Sequence, residues 1–185
     1  MVSATGSPRT TQMSSASRYG CSSVATLPVA WAIPGGPPCA CGGRGCTEAI
    51  ASGPNTVRHA LAGGWRPAPG VTADGIALAA AATAGDPVAT HHLARAGHAV
   101  GVALASCANL LDLQVAALVG GFSQSGPLFW QPLQQAFATH AGFRYAAACR
   151  IVPGQLGGDA GLLGAAAFVL EPDRYGWDPD PAPGH

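Results

Sequence analysis

The chain has 185 residues and a mass of 18.3 kDa, which is enough for one domain with a sizeable core. Apolar side chains make up 48% of the residues and charged ones only 10%, against about a quarter in ordinary globular domains. Nine basic and nine acidic residues cancel, which disfavours nucleic acid as a partner, and the apolar runs are too short to span a membrane.

The cysteines indicate the chemistry of the compartment. Three of the six lie within eight residues, at Cys39, Cys41 and Cys46. The other three are scattered, at Cys21, Cys107 and Cys149. A secreted disulfide framework spaces its cysteines more evenly along a shorter chain. The cluster therefore favours a metal site in a protein of the reducing cytoplasm.

Residues 1–28 are rich in serine and threonine and show no hydrophobic periodicity, so we assign them to no domain and expect disorder. Pro28 splits the apolar stretch 24–33, which argues against a secretory signal peptide.

Glycine and proline dominate residues 34–46 and predict a tight, irregular loop. A helix is expected directly after Cys46, through Ile50. Thr72 is predicted to cap a second helix that runs to Ala84.

A longer helix is predicted from Asp86, which would be its N-cap, with Pro87 at the first helical position. Small and apolar residues then recur at spacings of three and four, at Ala89, Leu93, Ala96, Val100, Leu104, Cys107 and Leu111. Gly97 and Gly101 would allow a neighbouring element to approach this helix closely. Three histidines on the helix are interpreted as solvated positions rather than metal ligands: His91, His92 and His98.

Two short apolar runs predict strands. Residues 115–119, followed by Gly120–Gly121, suit a strand buried on both faces, and residues 149–152 suit a second one. Helices are predicted over 127–141 and 158–170. This order implies a right-handed parallel crossover. Sheets average about five or six strands, so two strands suggest that further elements belong to the fold.

Three stretches resemble the motifs of the ROK family (repressors, open reading frames and sugar kinases). Residues 39–48, Cys-Ala-Cys-Gly-Gly-Arg-Gly-Cys-Thr-Glu, match its CxCGxxGCxE zinc motif. Residues 111–112 with 119–121 resemble the strand and glycine turn that hold the adenosine of ATP, and residues 156–166 resemble the closing LGxxAGLxGAA helix. The motifs occur in the family's order within residues 34–172, and the wider sequence is similar to actinobacterial sugar-kinase members.

The resemblance implies the fold class. It is an α/β fold, the carboxy-terminal domain of an actin-like ATPase of the ribonuclease H-like type, here partial and mostly helical with about two parallel strands. The domain would occupy residues 29–172, with the zinc loop at 34–48 and a proline-rich tail at 173–185.

Zinc is the cofactor expected at Cys39, Cys41 and Cys46. Three thiolates in this spacing can surround one Zn²⁺, and the glycines permit the turn. The resemblance implies a histidine as the fourth ligand, but Val29 stands at its position. Cys21, His59 or water remain as alternatives, and a glycine–proline loop with metal-free thiols is the other interpretation.

The resemblance also implies a substrate contact and a nucleotide contact. Glu48 corresponds to the glutamate that hydrogen-bonds sugar hydroxyls in family kinases, although on chemistry alone it is an ordinary first-turn charge of a helix. Gly120 and Gly121 correspond to the adenosine turn, where glycine lets the backbone approach a nucleotide. Phe122 replaces a usual third glycine and is expected to crowd the base pocket. The alternative interpretation is that Gly120 and Gly121 form an ordinary strand-to-helix turn.

The activity that the resemblance implies is transfer of a phosphoryl group from Mg-ATP to a sugar. Family kinases carry two phosphate loops and a catalytic aspartate in their amino-terminal half, and none of these appears here, so no catalytic residue is assigned. We therefore expect a glucokinase-like ROK kinase by descent, incomplete and inactive alone.

The alternatives are a non-enzymatic ROK regulator or sugar-sensing remnant, and a subunit that is completed by a separate amino-terminal half. Self-association is expected where that half is lacking, and the sugar is not determined.

Overall fold

A computed structural model describes residues 35–156, 159–171 and 174, which form seven α-helices and a two-stranded sheet. The bounds in chain order are α1 Thr47–Ala51, α2 Gly53–Ala62, α3 Gly75–Thr83, α4 Pro87–Leu111, β1 Val115–Leu118, α5 Pro127–His140, α6 Arg144–Ala147, β2 Arg150–Pro153 and α7 Ala160–Leu170. A 3₁₀ turn, Gly121–Gln124, joins β1 to α5. Residues 1–28, and the predicted tail apart from Arg174, lie outside the described residues.

Helix α4 begins where its sequence predicts. The Asp86 carboxylate accepts hydrogen bonds from the backbone N–H groups of Val88 and Ala89 at 2.9 and 2.8 Å. Pro87 occupies the first turn, where a helix needs no backbone donor. The cap thus satisfies two of the amides that a helix leaves free at its start.

Two helices differ from the sequence prediction. Asp74, not Thr72, is the N-cap of α3, because its carboxylate accepts from the Ala77 N–H at 2.8 Å. Helix α2 was not predicted at all, since Gly53 and Pro54 in succession are typical of a loop. They occupy the first turn of α2, where proline's missing N–H costs nothing.

Helices α4 and α5 form the centre of the fold and make its most extensive contact. A Cβ atom on Gly97 would collide with the carbonyl oxygen of Phe129, and one on Gly101 with that of Leu133. The predicted close approach is therefore confirmed. Around it, Ala89, Leu93, Ala96, Phe129 and Leu133 are buried with Trp65 and Leu78 of the surrounding elements.

The predicted apolar stripe of α4 holds only in its first half. Val100 and Leu104 are half-buried and Leu111 is 55% exposed, while Ala105 and Ala108 are the buried positions near the end. Ala105 and Ala108 join a second cluster with Phe137 and neighbouring residues. The stripe shifts because the second half of α4 packs on different neighbours.

Strands β1 and β2 pair in parallel, with Val115 opposite Arg150 and Leu118 opposite Pro153, as predicted. The expectation that the first strand is buried on both faces is wrong. Val115 is 44% exposed, and Val119 just beyond the strand is 55% exposed. Among the described residues β1 has a single partner strand, and a strand is fully buried only when layers cover both its faces.

Helix α7 confirms the predicted final helix but buries none of its described residues. Its exposed apolar side chains are Leu162, Leu163, Phe168, Val169 and Leu170. No helix among the described residues combines the length and the apolarity needed to cross a bilayer.

Candidate functional site

Residues 37–46 fold into a small hairpin that carries the cysteines. Pro38 and Arg44 form an isolated antiparallel bridge, and the Cys39 N–H donates to the Gly43 carbonyl at 2.9 Å. Gly42 and Gly45 have φ values of 89° and 68°, in the left-handed region that favours glycine. The glycines of the motif are therefore required by the turn that folds one cysteine back onto another.

The hairpin brings three sulfur atoms together. The Sγ atoms of Cys39, Cys41 and Cys46 lie within 4.8 Å of one another, and those of Cys41 and Cys46 are 3.6 Å apart. Sulfur atoms bound to one tetrahedral Zn²⁺ at about 2.3 Å would be separated by roughly 3.8 Å. The donor type and the spacing both fit zinc.

Cys46 is the most buried of the three, with 5% of its surface exposed. Burial, and then hydrogen bonds and charge from the neighbouring thiols Cys41 and Cys39, raise the pKa of Cys46 to about 12. Three thiolates at this spacing repel one another, so a bound divalent cation is the natural way to hold them deprotonated together.

His59, one alternative for the fourth ligand, is engaged elsewhere. Its Nε2 lies 2.9 Å from the Ala49 carbonyl oxygen, and His59 is not part of the cluster of three cysteines. Cys21, the other protein alternative, lies outside the described residues. Within the described part of the chain, the ligand group consists of the three cysteines alone.

Glu48 lies in the first turn of α1, two residues after Cys46, and is half-buried. Its backbone carbonyl accepts from the Ser52 N–H at 3.2 Å and from Asn55 Nδ2 at 2.8 Å. These bonds fix the corner between α1 and α2. The position of the Glu48 backbone is therefore set by both the cysteine hairpin and this corner.

A largely apolar cleft of about 850 Å³ opens beyond the carboxyl end of β1. Its lining joins the α1–α2 corner, the start of α3, the middle of α4 and the turn after β1. The lining residues are Ala51, Gly53, Asp74, Gly75, Ile76, Ala79, Val100, Leu118, Val119, Gly120, Gly121, Phe122, Ser123, Gln124, Ser125 and Phe129. Gly120 and Gly121, singled out from the sequence, thus lie at this cleft.

The turn after β1 is held by local hydrogen bonds. Gly120 has a φ of 99°, and its carbonyl accepts from the Ser123 N–H at 3.2 Å and the Ser123 hydroxyl at 2.7 Å. The Trp130 indole N–H donates to the Ser123 carbonyl at 2.8 Å and ties the turn to α5. Sequence reasoning missed Ser123, although a serine three residues after a glycine turn is a common signal of such a bond.

Phe122 forms one wall of the cleft. Its ring lies 6.1 Å from that of Phe129, and a Cβ on Gly75 would lie 3.2 Å from it. The ring is thus packed between α3 and α5. The space that it leaves is still large enough for a drug-sized ligand.

The histidines of α4 are not all alike. His91 and His98 are exposed, as predicted, but His92 is half-buried and its Nδ1 has no hydrogen-bond partner. Burial, and then the charges of His91, Arg95 and His59, lower the pKa of His92. The prediction that His92 is solvated is wrong because this position turns towards α2, where Gly63 leaves room for the imidazole.

The parallel strand pair, its glycine turn and the flanking helices are part of the actin-like ATPase fold. The structure is similar to the ROK glucokinase of Streptomyces griseus, solved in complex with glucose and AMPPNP, with a TM-score of 0.60 and 32% identity over 74% of this chain and 48% of that one. The ROK hexokinase of Thermus thermophilus gives a TM-score of 0.63 and 35% identity, over 77% of this chain and 46% of that one.

The ROK family model matches residues 16–172, and the chain belongs to this family. The glucokinase of Streptomyces coelicolor is 32% identical in an alignment 156 residues long that covers 76% of this chain and 49% of the relative. The glucokinase of Thermotoga maritima is 30% identical over 148 residues, or 75% of this chain and 46% of the relative. The chain spans about half the length of the curated relatives it matches. Both of these relatives are glucokinases.

Proposed function

We propose that this chain is the nucleotide-side portion of a ROK-type ATP:sugar kinase, and that it binds the adenosine of ATP in the cleft beyond β1. The observation that carries the proposal is the cleft of about 850 Å³ at Gly120 and Gly121. Ligands of α/β folds bind at the carboxyl ends of the strands, where the loops diverge. The glucokinase of Streptomyces griseus, which shares the fold, was solved with AMPPNP and glucose.

Each part of the cleft suits a part of the nucleotide. Apolar walls from Val100, Leu118 and Phe122 suit the faces of a purine. The two glycines leave the backbone open for close approach of the ribose, since a Cβ atom on either would have nothing within 4 Å. Glu48 precedes the lining residue Ala51 by three positions, and its carboxylate can accept hydrogen bonds from sugar hydroxyls.

Nucleotide binding is tested by calorimetric titration with Mg-ATP. Gly120→Ala places a side chain at a φ of 99°, distorts the turn and is expected to weaken binding at least tenfold. Gly126→Ala is the matched control, because Gly126 also has a positive φ, 65°, with open space around it, but does not line the cleft. Equal loss in both variants would contradict the proposed site.

These 185 residues alone are expected not to phosphorylate a sugar. They hold no recognisable phosphate loop or catalytic aspartate, and a general base alone contributes about 10²–10⁴ in rate. A coupled assay of ADP release with Mg-ATP and a panel of hexoses and N-acetylhexosamines measures this. Sugar-dependent turnover that disappears in Glu48→Gln would contradict the expectation. Sugar binding without nucleotide binding would instead favour a sugar-sensing role.

We also propose that Cys39, Cys41 and Cys46 hold one structural zinc ion, which would crosslink the hairpin and fix the start of α1. The three sulfurs within 4.8 Å support it. Cys39→Ser is expected to remove most of the zinc found by metal analysis of the purified protein and to lower its melting temperature. Cys107→Ser, at a half-buried cysteine of α4, is the control and should keep the metal. Wild-type protein without zinc, unchanged by Cys39→Ser, would contradict the proposal.

A further inference from the structure

Two sulfurs of the cysteine hairpin are arranged as an exposed thiol above a buried one. Cys41 is exposed, Cys46 is 5% exposed, and their Sγ atoms are 3.6 Å apart. Gly43 lies beside them, and a Cβ atom there would be 3.2 Å from Cys46 Sγ and 3.5 Å from Cys41 Sγ. The absence of a side chain on Gly43 leaves room for both sulfurs to move.

Cys46 is also the first link between the hairpin and the candidate site. It is the N-cap residue of α1, whose Ala49 and Ile50 are 1% exposed and anchored in the core. The residues that follow them, Ala51 and Gly53, line the cleft. Whatever holds Cys46 therefore holds the helix that presents Glu48 and one wall of the cleft.

We propose that Cys41 and Cys46 are a redox-sensitive pair, which a peroxide converts into an intramolecular disulfide that cannot bind zinc and that loosens α1. The loss of zinc rests on the zinc site proposed above, whereas the disulfide and the loosening of α1 can be measured without zinc. The sulfurs need to approach by about 1.5 Å to reach the bond length of about 2.05 Å. A rotation of the exposed Cys41 side chain supplies a movement of this size.

The reaction balances with hydrogen peroxide as the oxidant. The Cys41 thiolate attacks one peroxide oxygen, the O–O bond breaks, and the released hydroxide takes a proton to become water, leaving a sulfenic acid. The Cys46 thiol then attacks the Cys41 sulfur and gives up its proton as it does so, and the displaced hydroxyl group leaves with that proton as a second water. The two sulfurs lose two electrons, and the peroxide gains them. Two of the three zinc donors are thereby removed.

The test uses the full chain loaded with zinc and then treated with hydrogen peroxide. We expect peptide mass spectrometry without reduction to find Cys41 joined to Cys46 with the loss of two hydrogen atoms. A chromogenic chelator should detect about one zinc ion released per disulfide formed. Hydrogen exchange should quicken at least tenfold in α1 and at Ser52, whose N–H donates to the Glu48 carbonyl. Dithiothreitol with added zinc should reverse all three changes.

Two variants separate this pair from general oxidation. Cys41→Ser should form no disulfide at the hairpin under the same treatment, while Cys107→Ser should behave as the wild type. The proposal is overturned if the wild type oxidises without a Cys41–Cys46 bond, if Cys39 takes the place of Cys41, or if the bond forms and exchange in α1 stays the same. The wild-type readouts hold even if Cys41→Ser folds poorly. None of them needs a nucleotide, so a failure of Mg-ATP binding would count against the proposed function and not against the pair.

Discussion

Gly97 of α4 is in contact with backbone rather than with a side chain. A methyl group there would collide with the carbonyl oxygen of Phe129, and a helical carbonyl cannot rotate away as a side chain does. We expect Gly97→Ala to lower the free energy of unfolding by about 1–3 kcal/mol through overpacking, although alanine is the better helix former. Urea unfolding followed by circular dichroism measures the change.

Gly161 in α7 provides the control for that prediction. A Cβ atom on Gly161 would meet nothing within 4 Å, so Gly161→Ala changes only the helix propensity. We expect it to be neutral or to stabilise by up to about 1 kcal/mol. A similar loss in both variants would mean that the contact between α4 and α5 is not the cause.

Single residues were predictable where spacing alone sets the geometry. The CxCx₄C pattern with its glycines predicted that three sulfurs meet, and they lie within 4.8 Å. His92 was not predictable in the same way. Its burial depends on Gly63, the residue that ends α2, and the sequence pattern did not reveal that helix, so the space for its ring is a tertiary property.

Helix α4 depends on its cap. Asp86→Ala removes the acceptor of two backbone N–H groups and should cost about 0.5–2 kcal/mol of stability. Thr72→Ala is the control, since Thr72 is exposed and is not the cap of α3. Thermal unfolding of the two variants compares them. If Thr72→Ala proved as costly as Asp86→Ala, the assignment of Asp74 as the cap of α3 would be wrong.

At the level of elements, strong local signals predicted structure and mixed ones did not. Asp86–Pro87 and the long periodic run fixed the start and end of α4 correctly. The start of α2 was not predicted from Gly53 and Pro54, because both residues also suit a loop. The prediction that β1 is buried on both faces was wrong. An apolar run shows only that a strand favours burial, and the actual burial depends on which elements are adjacent.

At the scale of the molecule, the described residues leave apolar surface uncovered by one another. Leu162, Val169 and Leu170 of α7 are 73, 63 and 76% exposed, and Val115 and Val119 add exposed surface near β1. Helix α7 itself carries no charged residue. Apolar surface that is exposed over a large area marks an interface or a liability to aggregate. We propose that further copies of this chain cover it in solution.

We therefore expect the isolated chain to self-associate at micromolar concentration, which sedimentation velocity measures. Leu162→Glu with Val169→Glu should reduce the association, because a charge is costly to bury in an apolar contact. Ile76→Glu is the control: Ile76 is 80% exposed but belongs to the cleft. A monodisperse wild-type monomer that unfolds cooperatively would contradict the prediction.

The glycine contacts between α4 and α5 also limit how the protein can move. Gly97 and Gly101, one helical turn apart on α4, lie over the carbonyl oxygens of Phe129 and Leu133, which are also one turn apart on α5. Sliding α4 by one turn would bring Leu93 or Ala105 against one of those carbonyls, and both residues carry a Cβ atom. A slide of α4 along α5 by one helical turn is therefore blocked. We therefore expect any opening or closing of a larger assembly around the cleft to move α4 and α5 together, with their register unchanged.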